Sequence, residues 1–396
     1  MLIDEGAAET RAVRVVDGVV RGFWFGPTPD DPFGEAPLDV GDILKGRVAD
    51  IAPALGGAFI DLGADGRGFL AAKRALGKLI EGAVIVVRVR RAADGRKGAE
   101  LDGDWKAGLS SAVRSQIEGA VEGAIGPGRL GPFVSPAARV FGVWPAADLD
   151  FVTCSDPDTG REIQAALGGS SLEVETNSDA AWTDETESLL ETSLRRSLRA
   201  GEAVFTFDEG EAGTLVDIDR AADAKTARGR GEGAFLNAAA AFLSAELDRR
   251  AIGGVVGVDF PAPTNAGARQ ELARAVRRLG RVEEVGRDGF VRLTRPRRMR
   301  SLLERATELS PTAPDEARAA RRFTLDWRAK AAMRALETRA RARASARFAL
   351  RAPAQILSYI AERPHWMTRL TARHGARFEL GEPREQGGAG HDVVER

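Results

Sequence analysis

The chain has 396 residues, near-neutral net charge (−1), ordinary apolar and charged content, and a single cysteine. That length allows two or three domains with real cores. One thiol, Cys154, excludes an internal disulfide or a cysteine zinc site and reads as intracellular. MLIDEGAAETR at the start carries an early acid and no apolar stretch, so it is not read as a signal peptide. No apolar run approaches membrane-spanning length, so the expectation is a cytoplasmic protein. Charge is unevenly distributed: Trp144 to Glu191 holds twelve acids and one base, and Arg318 to Arg347 holds ten bases and two acids. The alanine-rich 328–347 run reads as a solvated helix face. TRPRRMR at 294–300, with four arginines in seven residues, reads as better evidence for a bound anion, because closely spaced arginines repel.

In chain order, RAVRVVDGVVRGFWF (11–25) predicts two strands joined by a tight turn at Asp17-Gly18. GPTPDDPFGEAPL (26–38) predicts a linker. Strand signals punctuated by glycine over 42–70, and a further run from Ala83, predict a small β-barrel. Helix is expected over 105–124, and a small α/β unit from Pro127 to about Leu190. AVFTFDEGEAGTLVDID (203–219) reads as strand, turn, strand. A helix over about 234–250 has Leu236, Ala240, Leu243 and Leu247 on its apolar side. The strand VVGVDF, a helix over 267–279 and a strand over 289–293 complete an alternating unit. SPTAP (310–314) reads as a linker, and 324–381 as helix, strand, helix, strand.

Two features carry chemistry. Phe59 and Phe69 lie ten residues apart in the barrel region, and Lys97 follows a turn. Barrel core is the commoner explanation for such phenylalanines. The alternative is an exposed strand face on which nucleobases stack. The second feature is the acids. Asp217 and Asp219 in TLVDID alternate onto one strand face, and Asp259 ends the strand VVGVDF. If the strands are neighbours the carboxylates converge, and a hard cation such as magnesium would relieve their repulsion. Strand-end acids in ordinary loops are the bland alternative. The three histidines, His365, His374 and His391, all fall late in the chain, so a serine–histidine–acid nucleophile is not expected. Cys154 has no basic neighbour and reads as inert. ARGRGEG (227–233) lacks the lysine end of a phosphate-binding loop and reads as a mobile loop, with Arg228 and Arg230 as candidate phosphate contacts.

Together the stretches MLID, VRVVDG, KGRVADIAPALGGAFIDLG, RKGAEL, GEAVFTFDEGEAGTLVDID, AIGGVVGVDF and VGRDGFVRLTRPRRMRSLLE resemble, in order and spacing, the ribonuclease E/G family over most of residues 1–308, and more weakly beyond 324. The resemblance implies an α+β multidomain fold. An OB-fold barrel (36–103) is inserted in a ribonuclease H-like domain (1–35 and 122–192), with a short helical remnant (104–121) in place of a 5′-end sensor. A deoxyribonuclease I-like catalytic domain (193–308), a linker (309–323), a small α/β domain (324–384) and a tail (385–396) follow. It implies a magnesium-dependent endonuclease for single-stranded A/U-rich RNA, acting in RNA decay or rRNA maturation. Asp217 and Asp259 match the family's magnesium-binding aspartates, and Asp219 stands where asparagine is usual. Phe59, Phe69 and Lys97 match its RNA-contacting barrel residues. The CPxC zinc link is missing, so zinc is not expected. The expected partners are single-stranded RNA and a second copy docked through the C-terminal domain, with no membrane. The alternative is an RNA-binding protein or chaperone whose catalytic domain has decayed.

Overall fold

The computed structural model describes residues 1–28, 38–93, 98–107, 109, 111–131, 137–167, 171–177, 182–210, 212–222, 231–309, 321–381 and 390–396. They form a mixed α/β chain of two compact units: 1–13, 24–183 and 323–396 in the first, 14–23 and 184–322 in the second. All six tryptophans fall in the first unit. Among the described residues no helix is long and apolar enough to cross a membrane.

The first unit contains a five-stranded sheet in the order Glu173–Thr176, Phe151–Cys154, Leu2–Glu5, Thr10–Val16, Val19–Gly26. The first three strands run parallel, and helix Pro157–Leu167 makes the crossover between two of them. The hairpin turn has positive φ at both Asp17 (50°) and Gly18 (74°), the conformation a two-residue turn between twisted strands requires. The turn and the strand ends beside it, residues 14–23, belong to the second unit.

A closed five-stranded barrel forms the next part. Ile43–Ala52 pairs with Gly57–Asp61, which leads through Arg67–Ala71, Ala99–Asp102 and Val84–Arg91 back to Ile43–Ala52. Strand alternation sends Leu44, Val48, Ile60, Leu70, Val87, Val89 and Leu101 inward, all essentially buried. Closure leaves no edge along the ring. Helix Ser111–Gly123 ends beside the barrel, and Lys45 donates to the carbonyls of Val121 and Ala124 (2.8 and 2.6 Å). A cation here satisfies carbonyls that a helix end leaves unpaired.

Residues beyond Phe323 do not pack by themselves. Helix Leu325–Ala342 places Ala329, Ala332, Met333 and Leu336 in one core with Ala7 and Ala8. Strand Phe348–Arg351 pairs with Phe378–Leu380 and with Asp392–Glu395, so the segment expected as a tail contributes a strand. The solvated-face reading of 328–347 is corrected. Arg334 and Glu337 are buried, and the helix meets the N-terminal sheet through a web of ion pairs. Arg334 pairs with Glu9 (2.7 Å), Glu337 with Arg11 (2.7 Å) and Arg341 with Asp4 (2.8 Å), while Asp4 also holds Arg11. Glu337 further accepts from the Ala7 N–H. Burial alone would push the Asp4 carboxyl up, but Arg11 and Arg341 outweigh it and hold Asp4 well below the usual carboxylate range.

The second unit is a six-stranded sheet in the order Ser197–Ala200, Ala203–Gly210, Gly213–Arg220, Gly254–Asp259, Phe290–Arg295, Arg281–Val285. Only Gly213–Arg220 and Gly254–Asp259 run parallel, joined by helix Glu232–Arg249. That helix and Ala266–Ala275 supply Leu236, Leu243, Leu247 and Leu272, which pack with Phe205, Phe207, Val216, Ile218, Val256, Val258, Val291 and Leu293. Asn265 caps the second helix by accepting from Ala268 N, and Ser301 with Glu304 forms a capping box further on. Two edge strands, Ser197–Ala200 and Arg281–Val285, had not been expected from the sequence.

Arg295, Arg297 and Arg300 of the cluster at 294–300 have partners within the chain. Arg295 pairs with Asp248 and donates to the carbonyls of Ile252 and Leu279; Arg297 pairs with Glu304; Arg300 donates to the Glu304 carbonyl. For Arg295, Arg297 and Arg300 those carboxylates and carbonyls supply compensation of the kind expected from an external anion. The expected linker at 26–38 and SPTAP at 310–314 fall largely or wholly outside the described residues.

Candidate functional site: a carboxylate pair on an open sheet face

Helices cover one face of the six-stranded sheet. Because side chains alternate, the residues between Val216 and Ile218 and on either side of them point to the other face. Leu215, Asp217 and Asp219 are therefore exposed while Val216 and Ile218 are buried. The parallel register sets Asp217 directly opposite Asp259 on the neighbouring strand, and Asp259 is also exposed. The row continues on both sides: Thr206 lies opposite Asp217, and Phe290 lies opposite Asp259. Backbone geometry at the end of the second strand is tight. A Cβ at Gly289 would come 2.2 Å from the Phe260 carbonyl, so only glycine lets the chain return against Asp259.

The carboxylates act on one another. Partial loss of water raises the Asp217 pKa, and the charges of Asp219 and Asp259, with a hydrogen bond to Asp219, raise it further. Neighbouring carboxylates that hinder each other's ionisation are stabilised by a cation. Their oxygens suit magnesium, which keeps several waters and takes one or two carboxylates. Asp217 and Asp259 are the pair that would hold it, with Asp219 beside them. Among the described residues no group of three or more His, Cys, Asp or Glu side chains is gathered to hold a metal, so a fit here rests on the pair and on water.

On the barrel, Phe59 and Phe69 are direct cross-strand partners, half-buried, with ring centroids 5.4 Å apart and planes at 65°. They lie on the opposite side of their strands from Ala58, Ile60 and Leu70, so they are not the barrel's core. A Cβ at Gly57 would come 2.7 Å from the Phe69 ring, which rests over that glycine. Lys97, Arg228 and Arg230 lie outside the described residues.

Three features escaped the sequence reading. Phe290 shares its face with Arg292 and Thr294, a period-two signal present in FVRLTR. Gly257, beside Asp259, sits beneath Leu215 and Phe290. The buried web of Asp4, Glu9 and Arg11 had no signal, because its partners lie more than 300 positions away. Cys154 is buried, and burial, with Asp156 and Glu5 nearby, pushes its thiol up to about 12. No protein-family model matches the chain, and no curated protein matches it.

Proposed function

We propose that this protein is a magnesium-dependent endoribonuclease of the ribonuclease E/G type that cuts single-stranded, A/U-rich RNA in RNA decay or rRNA processing in the cytoplasm. The observation that carries the reading is the register of Asp217 against Asp259 on the open face of the six-stranded sheet. In this reading the closed barrel is an OB-fold inserted in a ribonuclease H-like domain, and the six-stranded sheet is the deoxyribonuclease I-like catalytic domain.

Asp217 and Asp259 would hold the metal through their carboxylates. When bound, magnesium activates a water and neutralises charge building on the phosphate. Asp219, on the same strand face, would accept a hydrogen bond from the attacking water and fix its direction. The water oxygen forms a bond to phosphorus, the bond from phosphorus to the 3′ oxygen breaks, and that oxygen takes a proton. The products are a 5′-phosphate and a 3′-hydroxyl. Phe59 and Phe69 stack bases of the strand, at roughly 1–3 kcal/mol per base. The resemblance adds Lys97 as a backbone contact, and it adds a dimer through the C-terminal region. Light scattering that finds a monomer at micromolar concentration would remove the dimer.

A second reading is favoured by one observation: the Phe59 and Phe69 pair on the barrel's outer side does not depend on the carboxylates. It makes the chain an RNA-binding protein or chaperone with a decayed catalytic sheet. A denaturing gel of labelled single-stranded A/U-rich RNA decides between them, with wild type and Asp259→Asn compared in magnesium and in EDTA. The nuclease reading expects magnesium-dependent cutting that Asp259→Asn abolishes, at equal rates on 5′-mono- and triphosphorylated RNA. Intact RNA that is nevertheless bound by wild type establishes the second reading.

A further inference from the structure

The carboxylate row does not end in a polar residue. Phe290 lies directly opposite Asp259 on the open face, and its side chain stays 39% exposed. The adjacent row of that face carries Leu215 and Gly257 in register, with Arg292 next to them. Gly257 makes the arrangement. A Cβ there would come 2.8 Å from both the Leu215 Cδ2 and the Phe290 Cζ atoms. The ring and the leucine therefore both overhang the bare backbone of Gly257 and form a shallow apolar shelf, whose other edge is the exposed Leu215 (59%). Adjacent strands are ~4.8 Å apart, so the shelf begins one strand from Asp259.

Single exposed apolar residues are ordinary on protein surfaces. What distinguishes Phe290 is its position, in the same cross-strand row as two carboxylates and with a glycine beneath it. The occupant that fits an aromatic face beside a phosphate-handling pair is a nucleobase, because a nucleotide carries its base and its phosphate on one sugar. Arg292, exposed and in a surface ion pair with Glu283 (3.2 Å), adds a cation beside the shelf for a neighbouring phosphate.

We infer that Phe290, resting over Gly257 against Leu215, is the specificity-determining residue of this site and stacks the nucleobase adjacent to the cleaved phosphodiester. This rests on the nuclease reading. Base–aromatic stacking spans about 5- to 150-fold in affinity. Phe290→Ala is expected to raise KM by a factor in that range while kcat changes less than about threefold, and Phe290→Tyr is expected to restore KM.

The deciding experiment measures magnesium-dependent cleavage of single-stranded RNA oligonucleotides carrying one abasic residue at each position around the cut. Wild type should lose the Phe290→Ala factor at one abasic position only, and Phe290→Ala should lose nothing further there. Equal KM values for wild type and Phe290→Ala, or abasic penalties that simply multiply with the substitution, overturn the inference while leaving the nuclease intact. A wild type that does not cut RNA at all overturns both. Gly257→Ala, which displaces the ring from beneath, is a second variant expected to raise KM in the same direction, and far-UV melting verifies that each variant folds.

Discussion

Replacing Glu337 by alanine tests the packing of the chain's last quarter. Its carboxylate is 1% exposed, pairs with the Arg11 guanidinium at 2.7 Å and accepts from the Ala7 N–H at 2.5 Å. Removing one member of a buried pair costs about 3–5 kcal/mol, and an orphaned buried N–H about 1–3 kcal/mol. Asp4 still neutralises Arg11 and the Ala7 N–H is a single neutral donor, so the lower ends of both ranges apply and the total comes to about 4 kcal/mol. At ~2–4 °C per kcal/mol, the first unit should melt about 8–16 °C lower. Tryptophan fluorescence reads this unit alone, since all six tryptophans are in it, and the Trp182 ring lies 5.2 Å from the Arg11 guanidinium. Glu337→Gln retains an acceptor for Ala7 and should recover about 1–2 kcal/mol of the loss. A Glu337→Ala protein that loses under about 1 kcal/mol would refute the claim that this web ties the C-terminal helix to the N-terminal sheet.

Four further outcomes are expected. Asp4→Asn should destabilise the first unit at neutral pH. Because the folded Asp4 pKa is depressed, its contribution is present above the unfolded value of about 3.9 and fades as pH falls through the lower folded value, so the wild-type advantage in urea melts should shrink only below about pH 4. Cys154 should resist a thiol reagent at pH 8 in the native protein and react at once in denaturant; fast native labelling contradicts its burial. Phe59→Ala should weaken single-stranded RNA binding about 5- to 150-fold in fluorescence anisotropy, with an unchanged melting temperature, and unaltered affinity would assign the pair to packing. Asp217→Asn should abolish magnesium binding measured by calorimetry, and retained binding removes Asp217 as a ligand.

Where local periodicity decides structure, the sequence was readable. TLVDID alternates cleanly, so its buried Val216 and Ile218 and its outward Asp217 and Asp219 follow from period two, and in VVGVDF the buried Val258 and outward Asp259 do the same at the strand's end. Asp17-Gly18 specifies its turn because both positions need positive φ. The barrel was legible from glycine spacing, but whether Phe59 and Phe69 point inward was not, since that depends on which of two alternating faces closes on itself. Charge was least legible. LDWRAKAAMRALETRARA looks like a solvated helix because each of its buried partners, Asp4, Glu9 and Arg11, lies at the far end of the chain. TRPRRMR looks like an anion site because Asp248 is distant in sequence, and Glu304, though near, turns back through a capping box. RVEEV carries no apolar alternation, being an edge strand exposed on nearly every residue.

The buried web has a temporal consequence. Arg334, Glu337 and Arg341 leave the ribosome more than 320 positions after Asp4, Glu9 and Arg11. At about 5–20 residues per second, the wait is roughly a quarter of a minute to a minute. The second unit, whose main segment ends at Arg322, is synthesised in full before the clamping helix exists. The strands of the first sheet are complete by Thr176, yet Asp4, Glu9 and Arg11 keep facing a core not yet built until the middle of the chain has been synthesised.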